Sequence, residues 1–443
     1  LAGAGNVLFT QAGGTGSWAA PTFVLSGTGA STGTVRVSGS SGGGATKLQL
    51  ANVNALQSAT LDMATGDVGT VEFTVPGTNT YALGGLQGGR NLAFGGNSLS
   101  VGGNNQSTTY SGTLSGSGLL TKVGNGTLTL SGSNSASGGV AVDAGTLAVG
   151  SANALGSSGT ISFGGGTLQY SASNTTDYSG RFSNAASQQY SIDTNGQNVT
   201  LGSNLTSSGG SFTKLGGGNL ILSGSSTYSG ATTVSAGRLS VNGALGSTAV
   251  TVQNGAEVGG SGSIGGVVNV LAGGTLSPGN SIQSLAVGAT TFSGSSTFEY
   301  EYDSTNPASL AAAADLLVVN GNLTINAGAI LTLTDLAGSP TPFVNYTTTF
   351  ALISYSGAWN NGLFTYNGNA LADGDWFLVG SQEWQIDYNR TLSTGLANFT
   401  GDYLTGGSFV AITAVPEPST WAMALAGLAC GAGIVSRRRL SRA

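Results

Sequence analysis

The sequence predicts an all-β chain, a β-solenoid closed by a β cap, and three observations carry that prediction. The first is internal repetition: "LTKVGNGTLTLSGSNSASGGVAVDAGTLAVG" from Leu120 and "FTKLGGGNLILSGSSTYSGATTVSAGRLSVN" from Phe212 align without a gap. They agree at roughly half of about thirty positions, the mark of a repeat architecture. The second is period 2 within each repeat. In "GTLTLSG", Leu128 and Leu130 point one way and Thr127, Thr129 and Ser131 the other, as a half-buried strand requires. The third is punctuation: Gly/Ser/Asn clusters follow each short strand and mark turns.

Strands this short cannot form a stable sheet singly, but stacked coils bury one face of each in a continuous ladder. Residues 1–290 are assigned to the solenoid, with the clearest copies at 120–150 and 212–242 and weaker echoes such as "ANVNALQSATLDM" and "VNGALGSTAVTVQNGAEV". A coil is expected to take roughly 20 residues, with coils stacked about 4.8 Å apart. Glycine at the corners permits positive φ, and Asn and Ser satisfy corner backbone groups. Lys122 and Lys214 recur at the same repeat position, which suits a corner or ladder role better than catalysis. From about Thr291 Tyr, Phe, Trp and acids become more frequent, as in "STFEYEYD" and "FALISYSGAWNNGLFTYNGNALADGDWFLVGSQEWQIDYN". Residues 291–410 are therefore expected to form a C-terminal β cap with a thicker core, covering an edge that would otherwise invite aggregation.

Composition narrows the function classes. The 443 residues include 77 glycines, 7% charged residues, one cysteine and no histidine. Absence of histidine removes the usual general base, the Ser-His-Asp triad and the commonest metal ligand together. With Cys430 alone, neither a disulfide framework nor a thiolate zinc site can be built within one chain. The net charge is −6, and four of the twelve basic residues are Arg437, Arg438, Arg439 and Arg442. The remaining body is acidic and lacks the clustered Lys/Arg that nucleic acid requires, so no nucleic-acid partner is expected. The chain opens at Leu1 with neither methionine nor signal peptide and reads as a processed or truncated product.

The segment 411–443 departs from everything before it: "VPEPSTWAMALAGLACGAGIVSRRRLSRA" places prolines around a glutamate, then an apolar run, then arginines. Trp421 to Val435, with Leu425, Leu428 and Ile434 between, reaches about 22 Å as a helix, somewhat short of a hydrocarbon core of roughly 30 Å. With adjustment at its ends it is read as a short membrane anchor. Arg437, Arg438 and Arg439 then act as the cytoplasmic stop and leave the β body outside. Pro416 and Pro418 prevent upstream extension of the helix and hold an extended segment within reach of a membrane-embedded protease.

Two resemblances follow from these residues. "GTLSGSGLLTKVGNGTLTLSG", "FTKLGGGNLILSGSSTYSGATTVSAGRLSV" and "GGTLSPGNSIQSLAV" resemble the autotransporter-associated β-strand repeat family, whose members are right-handed parallel β-helices on bacterial surfaces. The shared core, T-K-x-G-x-G-x-L-x-L-S-G, runs from Thr121 to Gly132 and from Thr213 to Gly224. One departure matters: nothing after residue 290 is long enough for the membrane barrel that such proteins use for translocation. The tail, with Pro416, Glu417 and Pro418 before a short apolar helix and terminal arginines, is similar to the PEP-CTERM sorting signal. That resemblance implies an exosortase partner, a short C-terminal transmembrane sorting helix held transiently in the inner membrane, and release to the cell surface or extracellular matrix of a Gram-negative bacterium.

The candidate sites have plainer readings beside the chemical ones. Glu299, Glu301 and Asp303 alternate and share a strand face, conceivable as a calcium site or as paired carboxylates for sugar chemistry, but also the solvated side of a strand whose Phe298, Tyr300 and Tyr302 point inward. Asp373 to Asp375 spells Asp-Gly-Asp, first of all a turn. The expectation is a non-enzyme with no cofactor and no metal: an exported structural or adhesive protein of an exopolysaccharide-rich biofilm or envelope, with surface glycans as partners. A polysaccharide-active β-helix enzyme is the alternative and needs clustered acids with Lys or Arg, whereas the solenoid's acids are dispersed. A carbohydrate-binding protein lies between the two and would draw on Trp359, Trp376 and Trp384.

Overall fold

A computed structural model of the chain describes residues 2–10, 20–39, 45–305, 314–337, 348–391 and 407–415. It is an all-β parallel solenoid of about 12 turns and divides into two compact units, Leu1–Val250 and Thr251–Ala443.

In the first unit the repeat core becomes four short strands, β1 (Leu120–Lys122), β2 (Thr127–Leu130), β3 (Val140–Val142) and β4 (Thr146–Val149). They are not neighbours in a hairpin but in a stack: Leu120 sits beside Val140 and Leu128 beside Leu147, both in parallel register. One coil therefore takes about 20 residues, because that length carries the chain once round the corners and back above its own start. The second copy repeats the plan with β5 (Ser211–Leu215), β6 (Asn219–Leu222), β7 (Thr232–Val234) and β8 (Gly237–Val241), where Phe212 pairs with Thr232 and Leu220 with Leu239. Alternation along β2 is as the period demands: Leu128 and Leu130 are buried while Thr127 and Thr129 are half-exposed. Each buried leucine contributes about 1.5–3 kcal/mol. The leucine and valine ladders are joined inside by aromatic contacts, with Phe163 against Phe182 at 4.9 Å and Phe212 stacked on Tyr228 at 6.0 Å.

Amide side chains tie successive coils where the strands turn. Asn134 is buried; its Oδ1 accepts from the Leu114 amide at 2.7 Å and its Nδ2 donates to the Ala154 carbonyl at 2.6 Å, so one side chain links three coils. Corner groups that have left the ladder are satisfied this way, as buried backbone polar groups must be.

The second unit contains β9 (Thr297–Tyr302), β10 (Leu316–Val319), β11 (Ile330–Asp335), β12 (Thr349–Tyr355), β13 (Trp376–Val379), β14 (Gln382–Thr391) and β15 (Ser408–Val415). Parallel stacking continues here with longer coils, since Phe298 pairs with Leu331 and Leu317 with Ile353. At β12 the direction changes: β12 pairs antiparallel with β15, β15 with β14 and β14 with β13. The change is physically useful. A parallel ladder needs a crossover for every added strand, whereas antiparallel strands close on short hairpins, here Gly380-Ser381 between β13 and β14. The core is also aromatic: Trp384 is fully buried against Tyr302 and Phe350, at 5.5 and 5.8 Å, and Phe364 lies against Phe292 and Phe298.

Among the described residues no helix is long and apolar enough to cross a membrane. The expected sorting helix, with Trp421, Leu425, Leu428, Ile434 and Val435, falls in 416–443 and lies outside the described residues.

Candidate functional site

The lysine of the repeated T-K-x-G core is the most regular polar feature of the first unit. It occupies an inward-facing position at the end of its strand, where neighbouring coils place Val101 and Val142, and it is 1% exposed at Lys122 and 0% at Lys214. Lys122 Nζ donates to the carbonyls of Val123, Gly124 and Ala144 at 2.6, 2.7 and 3.1 Å. Lys214 Nζ makes the same three bonds to Leu215, Gly216 and Ala236 at 2.9, 2.7 and 3.0 Å. Two of the carbonyls belong to the lysine's own corner and the third to the corner of the next coil, so the ammonium closes both turns with all three of its protons. The motif's glycine two places on is required by the same turn: Gly124 and Gly216 have φ of +65° and +69°, and a Cβ on Gly124 would meet the Gly102 carbonyl at 2.1 Å. The sequence places the two lysines equivalently, and the structure shows the corner role they fill.

Burial pushes both amines down from 10.5 to about 8. Between about pH 8 and pH 10 the unfolded chain therefore holds protons that the folded chain has shed, and stability contributed by these lysines rises with pH across that window. This titration-linked increment, separate from the hydrogen bonds the ammonium makes at neutral pH, is present above the unfolded value and lost as pH falls through about 8. The urea midpoint of the wild type is expected to increase between pH 7.5 and 9.5, and a Lys122→Met/Lys214→Met variant is expected to lose most of that increase. Equal slopes in the two proteins would contradict the assignment.

A related corner was not legible in the sequence. Arg181, following a glycine in "YSGRFS", donates to the carbonyls of Leu155, Gly156, Ser158 and Gly159 at 2.5 to 3.0 Å and lies over the Tyr178 ring at 5.9 Å. Nothing in the sequence pairs this arginine with a turn 22 to 26 residues earlier.

The acidic candidates separate. On β9 the burial alternates as expected, with Phe298, Tyr300 and Tyr302 inside and Glu299 and Glu301 half-exposed. Asp303 Oδ1 accepts from the Thr305 amide and hydroxyl at 2.8 and 2.6 Å, and these bonds hold its carboxyl below the usual carboxylate range. Asp373 and Asp375 build a turn: Asp373 accepts from the Tyr388 amide at 2.9 Å, Asp375 from the Ala372 amide at 2.6 Å, and Gly374 between them has φ of +83°. Among the described residues no three His, Cys, Asp or Glu side chains are grouped to hold a metal ion. The carboxylate that composition did not single out is Asp315, fully buried, which accepts from the amides of Gln283 and Glu301 at 2.9 and 3.1 Å.

The tryptophans do not form a row. Trp384 is inside the core, Trp359 stacks on Tyr388 at 5.2 Å with its Nε1 donating to the Gly362 carbonyl, and Trp376 stands outside, 58% exposed. The sorting residues Pro416, Glu417 and Pro418 and the stop residues Arg437, Arg438 and Arg439 lie outside the described residues, which reach Val415 at the end of β15.

Comparison with known proteins assigns the two sequence patterns. Residues 120–149 and 212–241 match the passenger-associated-transport-repeat model, and residues 414–439 match the PEP-CTERM protein-sorting motif. The chain is also similar to the adhesin BmaC autotransporter of Brucella suis biovar 1 (strain 1330), with 30% identity over 203 residues. The match covers 44% of this chain and 6% of that protein, so the chain spans a small fraction of its curated relative. The lysine-closed corners of this chain thus lie within its two passenger-associated-transport repeats, and the chain also carries the PEP-CTERM motif by which exported surface proteins are sorted.

Proposed function

We propose that this chain is a structural or adhesive component of a bacterial surface or extracellular matrix, delivered there by exosortase processing of its tail. The single observation that carries the reading is the PEP-CTERM match over 414–439, which begins in the last two residues of the final described strand of a repeat-built β body. An adhesive role draws support from the likeness to an adhesin autotransporter. A non-catalytic role draws support from the absence of histidine and from the engagement of Asp303, Asp315, Asp373 and Asp375 with backbone amides. The membrane run 421–435 serves as a transient inner-membrane anchor, and exopolysaccharide is the proposed matrix partner.

The test is intact-mass and fractionation analysis of the native protein beside a Pro416→Ala/Pro418→Ala variant. Loss of the tail near residues 416 to 420 in the wild type, with the variant retained at full length in the inner membrane, is the expected result. An uncut wild-type chain that stays in the membrane would overturn processing.

A further inference from the structure

The cap ends on an edge strand that is unusually apolar on its outer face. In the sheet to which they belong, β15 is followed by β14 and then by β13, which terminates the order among the described residues. On β13 the buried position is Phe377, and Trp376 and Leu378 project to the other side with 58% and 57% of their surface exposed. Positions two apart on a strand share a face, so the two form one patch. An edge strand with two large exposed apolar side chains is a liability unless something covers it.

The register says what lies next to the patch. Val415, the last residue of β15, pairs with Glu383 of β14, and Glu383 pairs with Leu378 of β13. One row along, Thr413 pairs with Gln385 and Gln385 with Trp376. At about 4.8 Å per strand, the point where the chain leaves the sheet toward Pro416 is about 10 Å from Leu378. Six residues beyond Val415 begins the uncharged run Trp421 to Val435. The apolar phase that receives that run lies no more than about 20 Å from Val415, the span of six extended residues, a distance comparable to that between Val415 and the patch. Tryptophan suits such a boundary, since its indole favours the level of lipid headgroups. Asp375 and Glu383 flank the patch, and Arg390, whose Nη1 donates to Thr413 Oγ1 at 3.2 Å, reaches the Trp376 row, so charges of both signs surround an apolar contact.

We propose that Trp376 and Leu378 rest on the lipid surface while the tail is inserted, so that the cap is seated on the bilayer. The proposal rests on the tail acting as a membrane anchor, and the experiment separates the two. In the full chain, Cys430 within the tail is the single native cysteine and takes a polarity-sensitive fluorophore directly. In a Cys430→Ala background, Leu378→Cys takes the same label on the patch, and Thr70→Cys on an exposed position of the first unit serves as control. The three proteins are mixed with vesicles of phosphatidylethanolamine and phosphatidylglycerol, with and without brominated acyl chains. The expected result is a blue shift and bromine quenching at positions 430 and 378 and neither at 70. Insertion at 430 without a response at 378 would overturn the seating and leave the anchor intact. No response at either position would overturn both. A blue shift at 378 that grows with protein concentration in the absence of vesicles would assign the patch to a second copy of the chain and overturn the lipid contact.

Discussion

Replacing Trp384 by alanine is expected to destabilise the second unit by about 3–5 kcal/mol, the range for truncating a buried aromatic side chain. Trp384 is 0% exposed on β14 and lies edge-on to Tyr302 of β9 and tilted on Phe350 of β12. It thus joins a strand of the parallel ladder to both a transitional and an antiparallel strand. Its removal leaves a cavity that none of the three can close, because each is fixed by its own ladder. The effect is read as a fall in the denaturant midpoint of the transition that carries the tryptophan signal. Trp359→Phe serves as comparison: that ring stacks on Tyr388 nearer the surface, and a conservative change there is expected to cost much less. Equal losses in the two variants would show that the core is not organised around Trp384.

Replacing the corner lysines is the second large effect. Lys122→Met preserves length and apolar stem but removes the donor that satisfies three carbonyls, and leaving a buried acceptor unsatisfied costs about 1–3 kcal/mol. Water can reach some of these groups once the ammonium is gone, so about 3 kcal/mol per lysine is the expected loss rather than the full sum. Lys214→Met is expected to match it, because the three bonds are the same to within a few tenths of an ångström. The two corners share no partner, so the double variant is expected to show additive losses, measured by urea unfolding at neutral pH. A loss under about 0.5 kcal/mol in either single variant would mean that the corners close without the lysine.

The class of this protein and its repeating module are legible in the linear order of its residues. Period 2 in "TLTL", the gapless recurrence of Thr121 to Gly132 at Thr213 to Gly224, and glycine at each corner admit one economical packing, a stack of coils, because each coil has a single apolar face and only another coil can extend it. The side-chain alternation along "FEYEYD" was equally legible, since it depends only on neighbours along one strand. The sorting tail could be read for the same reason: an order of prolines, apolar run and arginines is a linear property.

Relations between residues distant along the chain emerge only from the fold. That Lys122 binds the corner of the following coil at Ala144, that Arg181 closes a turn more than twenty residues earlier, and that Asp315 gathers the amides of Gln283 and Glu301 depends on stacking that no local window contains. The point at which parallel pairing gives way to antiparallel is of the same kind. The aromatic enrichment after Thr291 marks a thicker core, but β9, β10 and β11 within it still pair in parallel, and the reversal comes at β12 and β15. Strand direction is set by which edge is free when the chain returns, and composition carries no record of that. For the same reason Trp376 and Trp384, eight residues apart on paired strands, have opposite fates: Phe377 pairs with Trp384, and that register alone turns one indole into the core and the other out of it.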